Sequence, residues 1–101
     1  MSLSLDTTFK TNPDVIVTEL TDSDGKPEAV LLNIATHKYF SLNISGIHIW
    51  KVLEQQQPLS AAASDLVASF AVTEEHAAGS VLRLATELFD AELITIADEP
   101  D

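Results

Sequence analysis

The chain has 101 residues, 46% of them apolar and none a cysteine, which is enough to bury the core of one small domain and excludes disulfides, thiolate metal sites and a cysteine nucleophile. Sixteen acids against five bases give a net charge of −11, a surface that repels nucleic-acid phosphates and anionic membranes at long range. No apolar run approaches the ~20 residues that span a bilayer, and the opening MSLSLDTTFK lacks the charge and the apolar core of a secretory signal. A cytoplasmic location is therefore expected, with the acidic excess serving solubility first and steering of a basic partner second.

Residues 1–14 are polar, end in Asn12-Pro13 and read as a poorly ordered lead-in. The β-branched run VIVTEL at 15–20 predicts a strand. It is followed by the turn cluster Thr21 to Pro27, in which Asp24-Gly25 supplies a left-handed position. Asp22, Asp24 and Gly25 hint at a calcium loop, but the later ligands and terminal Glu of such a loop are missing. Further strands are expected at 28–34 and 38–42, making a three-stranded antiparallel meander.

Asn43 is placed to cap a helix over 43–56, in which Ile44, Ile47, Trp50 and Leu53 recur at helical spacing and Pro58 enforces the stop. Ser60 is the expected cap of a second helix over 61–70, and Thr73 of a third reaching Glu92, with Glu74 and Glu75 complementing the positive end of its dipole. The third helix has a polar stripe of Gly79, Arg83, Glu87 and Asp90. Its remaining circumference is apolar and wider than packing on one neighbour requires. Ile94-Thr95-Ile96 reads as a short extended segment and 97–101 as an acidic tail. Strands followed by three helices predict an α+β, winged helix-turn-helix-like domain.

Little in this chain points to catalysis. His37, His48 and His76 share no metal-pair spacing, no nucleophile elbow surrounds any serine, and with three glycines and neither a Walker loop nor G-x-G-x-x-G a phosphate-cradling loop is nearly excluded. We expect neither an enzyme nor a cofactor. A DNA-binding winged helix is the competing class, yet between Thr73 and Glu92 one cation, Arg83, stands against five acids. A peptide-binding module fits better. The strand at 38–42 carries one charge and no proline, so nothing in its sequence blocks an incoming strand.

The wording Tyr39-Phe40-Ser41-Leu42-Asn43, then Ser45-Gly46 and Ile49-Trp50, resembles the PqqD-like family, small domains that bind the leader peptides of ribosomally made, post-translationally modified peptides. The resemblance extends over residues 15–96 and implies the same winged-helix-like fold. It also implies a non-catalytic chaperone that presents a precursor to a modifying enzyme, such as a radical SAM enzyme, a cyclase or a leader peptidase. On this reading the leader lies between the third predicted strand and the third helix. Lys38, Tyr39, Phe40, Ser41 and Leu42 form the augmented edge; Val81, Leu84, Ala85 and Leu88 supply groove candidates; Arg83 and Lys38 are partners for a leader carboxylate. Beside these roles stand core packing for Phe40, Leu42, Ile47, Trp50, Leu84 and Leu88, and an i, i+4 pair of Arg83 with Glu87. Gln55-Gln56-Gln57-Pro58 departs from the Asp-Gly or similar turn of many relatives, and the wording is closer to stand-alone members serving lasso-peptide or related pathways than to pyrroloquinoline quinone (PQQ) synthesis. The same unblocked edge leaves open a monomer or an edge-paired or swapped dimer.

Overall fold

The computed structural model describes residues 5–21 and 23–96. Eight elements follow in order: β1 (Phe9–Thr11), β2 (Val15–Thr21), β3 (Pro27–Asn33), β4 (Tyr39–Leu42), α1 (Ile44–Glu54), α2 (Leu59–Ser69), α3 (Glu74–Asp90) and β5 (Ile94–Ile96). The three-stranded antiparallel sheet followed by three helices is the α+β arrangement the sequence predicts. Its strands run in the order β2-β3-β4, so both β2 and β4 are edges among the described residues.

Register follows from the alternation of side chains. Leu31 lies opposite Phe40 and Ala29 opposite Leu42, placing these residues on one face. That face packs on the helices: Ala29, Leu31 and Leu42 are buried with Ile49, Trp50 and Leu53 of α1 and Leu66 of α2. The other face is bare, with Ile16, Leu32 and Tyr39 in one row across the three strands.

Asn43 and Thr73 cap the first and third helices. The Asn43 side-chain oxygen accepts from the Gly46 amide at 3.0 Å, and the Thr73 hydroxyl accepts from the His76 amide at 3.1 Å. The second helix differs. It begins at Leu59, Pro58 occupies the cap position, and no side chain caps it. Ser60 lies inside the helix, because its first amides find other partners: Leu59 N–H donates to the Thr7 carbonyl at 3.1 Å and Ser60 N–H to the Leu5 carbonyl at 2.9 Å.

That docking corrects the disordered lead-in over 1–14. Its second half is built into the domain: Phe9 is fully buried, pairs with Ile96 in the β1–β5 ladder, and meets the Phe89 ring edge-on at 6.0 Å. A three-residue strand among polar neighbours shows no periodicity, and its partner lies at the far end of the chain. Residues 1–4 of the lead-in, Asp22 of the turn cluster and the acidic tail at 97–101 lie outside the described residues.

Candidate peptide-binding cleft

The edge of β4 borders a cleft of about 410 Å³ whose opposite wall is α3. Why β4 offers its edge there follows from the ladder. Asn33 N–H donates to the Lys38 carbonyl at 2.8 Å. Antiparallel pairs alternate in bonding, so Phe40 and Leu42 also turn their backbone groups towards β3. Tyr39 and Ser41 therefore turn their N–H and C=O groups outward.

The cleft is lined by the apolar Phe40, Leu42, Ile49 and Leu84, by Ser41, Ser45 and Ser80, and by the charged Glu28, Arg83 and Glu87. Arg83 is the chain's one arginine. It is exposed and, among the described residues, makes no ion pair; in particular the i, i+4 pair with Glu87 is not formed.

The expected residues separate into three groups. Phe40, Ser41, Leu42, Arg83 and Leu84 come together in the cleft. Lys38 and Tyr39 lie at the start of the same edge but outside the lining, and Tyr39, 71% exposed, projects from the bare face of the sheet. Val81, Ala85 and Leu88 are corrected. All three are fully buried in the core and have no surface to offer a peptide. They occupy the inward stripe of α3, while the wall facing β4 is one step around the helix, at Ser80, Arg83, Leu84 and Glu87. The breadth of the apolar face reflects packing on both α2 and β5, which a single helix's periodicity cannot apportion.

Asn33 was not legible as a site residue. It is 1% exposed, the only buried polar residue among those described. Its Nδ2 donates to the Glu92 carbonyl at 2.8 Å, and its Oδ1 accepts from the amides of Ala35 at 2.9 Å and Thr36 at 3.1 Å. Asn12 Nδ2 donates to the same Glu92 carbonyl at 3.0 Å. The turn that leads into β4 is thereby tied to the end of α3, which fixes the separation of the cleft walls at one end. Glu92 accepts both bonds from a left-handed backbone, φ 63°.

Gly46 sits under the cleft in close contact: an added Cβ would lie 3.1 Å from Leu42 Cδ2 and 3.2 Å from Leu42 Cβ. His48, by contrast, belongs to the helix pair, its Nδ1 2.7 Å from Asp65 Oδ2 of α2 and its ring edge-on to Phe70 at 5.2 Å. Among the described residues no cluster of three or more His, Asp or Glu is placed to hold a metal, and no helix is long and apolar enough to cross a membrane. α3 exposes Glu74, Glu75, Glu87 and Asp90 against the single Arg83, a poor surface for phosphates.

The family model for Coenzyme PQQ synthesis protein D (PqqD) matches residues 28–94, more than half of the chain. The chain belongs to the PqqD family. The match covers β3, β4 and all three helices, and so contains both walls of the cleft. Two solved structures share the fold of this PqqD-family chain. One, described as TbiB1 in complex with the TbiA(beta) leader peptide, superposes with a TM-score of 0.68 at 24% identity, covering 91% of this chain and 99% of that one. The other, described as lasso peptide synthetase B1 complexed with the leader peptide, has a TM-score of 0.68 at 21% identity, covering 86% and 96%. Curated protein sequences gave no match.

Proposed function

We propose that this PqqD-family chain is a non-catalytic adaptor that captures the leader of a ribosomally synthesised precursor peptide. The observation that carries this reading is the cleft itself: an open β4 edge with two outward-facing backbone pairs stands opposite an α3 wall. A leader in extended conformation adds as a fourth strand, bonding to Tyr39 and Ser41. Its alternate side chains enter the apolar pocket lined by Phe40, Leu42, Ile49 and Leu84. Arg83 is the partner for a leader carboxylate, and its lack of an ion pair among the described residues supports that role. Lys38 is a second such partner at the start of the edge.

The two structural neighbours, both described as leader-peptide complexes of B1 proteins, support this reading and favour a lasso-peptide or related pathway. The adaptor acts in the cytoplasm, as the lack of cysteine suits, and hands its cargo to a modifying enzyme or leader peptidase. By holding the leader it converts their encounter with the core peptide into a tethered one.

A ¹H–¹⁵N titration with leader peptides from precursors encoded nearby tests this. Saturable shifts at Tyr39 to Leu42 and at Ser80 to Glu87 are expected. If authentic leaders leave those amides unmoved, the leader-binding reading is wrong.

A further inference from the structure

The sheet has a second open edge, longer than β4. Among the described residues β2 pairs only with β3, over seven residues, Val15 to Thr21, in unbroken register. Edge strands of this length are normally blunted by lysine, proline or a bulge. VIVTELT has none of these; its one charge, Glu19, lies opposite Ala29 on the helix-packing face and is its single edge-protecting residue. Ile16 is 50% exposed and Leu20 47%, large aliphatic exposures on a single strand.

The ladder fixes which groups of β2 are free. Ile34 N–H donates to the Asp14 carbonyl at 3.0 Å, so by alternation Ile16, Thr18 and Leu20 also bond to β3. Val17 and Glu19 then turn their N–H and C=O groups outward. Val15 N–H is already taken by the Asn12 carbonyl at 3.0 Å.

We propose that β2 pairs antiparallel with β2 of a second copy of this chain, about a two-fold axis through Thr18. This is the one antiparallel self-pairing in which all seven residues of Val15–Thr21 overlap. Val17 lies opposite Glu19 of the second copy, and each exchanges both backbone hydrogen bonds with the other. Thr18 faces Thr18 as a non-bonded pair. Ile16 covers Leu20 of the second copy on the bare face, twice. No two acids are directly opposed, whereas a two-fold axis shifted to Glu19 would oppose them. The two three-stranded sheets become one of six strands, an isologous interface. Since β4 forms both outer edges of the joined sheet, its peptide cleft stays open. The pairing does not depend on the leader-binding reading.

One strand pair is smaller than a standard stable interface, and two bodies of charge −11 repel. The dimer is therefore concentration-dependent, and screening salt strengthens it.

The absence of cysteine makes the test direct. Thr18→Cys places two thiols in a non-bonded pair with Cβ atoms about 4.5–5.5 Å apart, a small adjustment from disulfide range. Leu20→Cys lies on the same face but far from its own copy. Under mild oxidation Thr18→Cys is expected to cross-link about tenfold faster than Leu20→Cys. Sedimentation of the unmodified chain should show a dimer that grows with protein concentration and salt. Val17→Pro removes an outward N–H while sparing the β3 ladder and should abolish that dimer. Equal cross-linking rates, or a monomer at every concentration and salt, would overturn the proposal. So would a dimer that survives Val17→Pro, which would mean another surface pairs, with this chain's β4 edge the first to test.

Discussion

Asn33 concentrates more structural consequence than any other polar side chain described. Its amide makes three hydrogen bonds in a site that water does not reach. Asn33→Ala leaves the Ala35 and Thr36 amides without their acceptor and the Glu92 carbonyl with Asn12 Nδ2 as its remaining side-chain donor, at about 1–3 kcal/mol for such a loss. Urea denaturation should show a destabilisation of about 2–3 kcal/mol. Trp50 presents the opposite case. Its Nε1 is buried without a hydrogen-bond partner among the described residues. Trp50→Phe removes that donor along with some volume, so it should cost much less than the about 3–5 kcal/mol of Trp50→Ala. Arg83 carries its weight in binding. Replacing it with Ala should weaken an acidic leader by roughly 0.5–1 kcal/mol, more at low salt, with folding stability unchanged. Isothermal titration against leader variants with and without the carboxylate measures this. The capping roles of Asn43 and Thr73 could be read directly because a cap involves only the next few residues. Asn33 could not: its partner Glu92 lies 59 residues away.

At the level of the element, the β4 edge has a polarity that allows binding and folding to be separated. Ser41 turns its N–H away from β3, so Ser41→Pro keeps the β3–β4 ladder while removing one outward donor and placing a ring in the path of the ligand. Leader affinity should fall by about tenfold or more, about 1.4 kcal/mol, with the thermal midpoint nearly unchanged. Phe40→Pro removes a bond to β3 instead and should unfold the edge, which circular dichroism would register. Strands β2 to β4 and the three helices were visible as period-two and helical patterns with strong punctuation. What escaped was decided by neighbours. The first turn of α2 is satisfied by carbonyls of residues 5 and 7, so no capping side chain marks it. The inward stripe of α3 is set by which residues α2 and β5 bury. For that reason Val81, Ala85 and Leu88 looked like a groove and are core.

Taken whole, the molecule carries its acidic excess into every long-range encounter. Duplex DNA should not retain it at low salt, where retention would be strongest, whereas a basic partner surface should bind faster as salt is lowered. Both are measurable on immobilised ligands. The β1–β5 ladder has a further consequence at this scale. Phe9 and Ile96 are cross-strand neighbours, so β1 and β5 share one doorway, beyond which residues 5–8 run along the start of α2. A linker from Ile96 long enough to reach Leu5 at the start of α2 would close the described residues into a ring, and the ring could be reopened in the loop between β2 and β3. Such a rearranged chain should fold to the same structure. By the same geometry, the whole domain can be spliced into a surface loop of a larger enzyme without prising that loop apart.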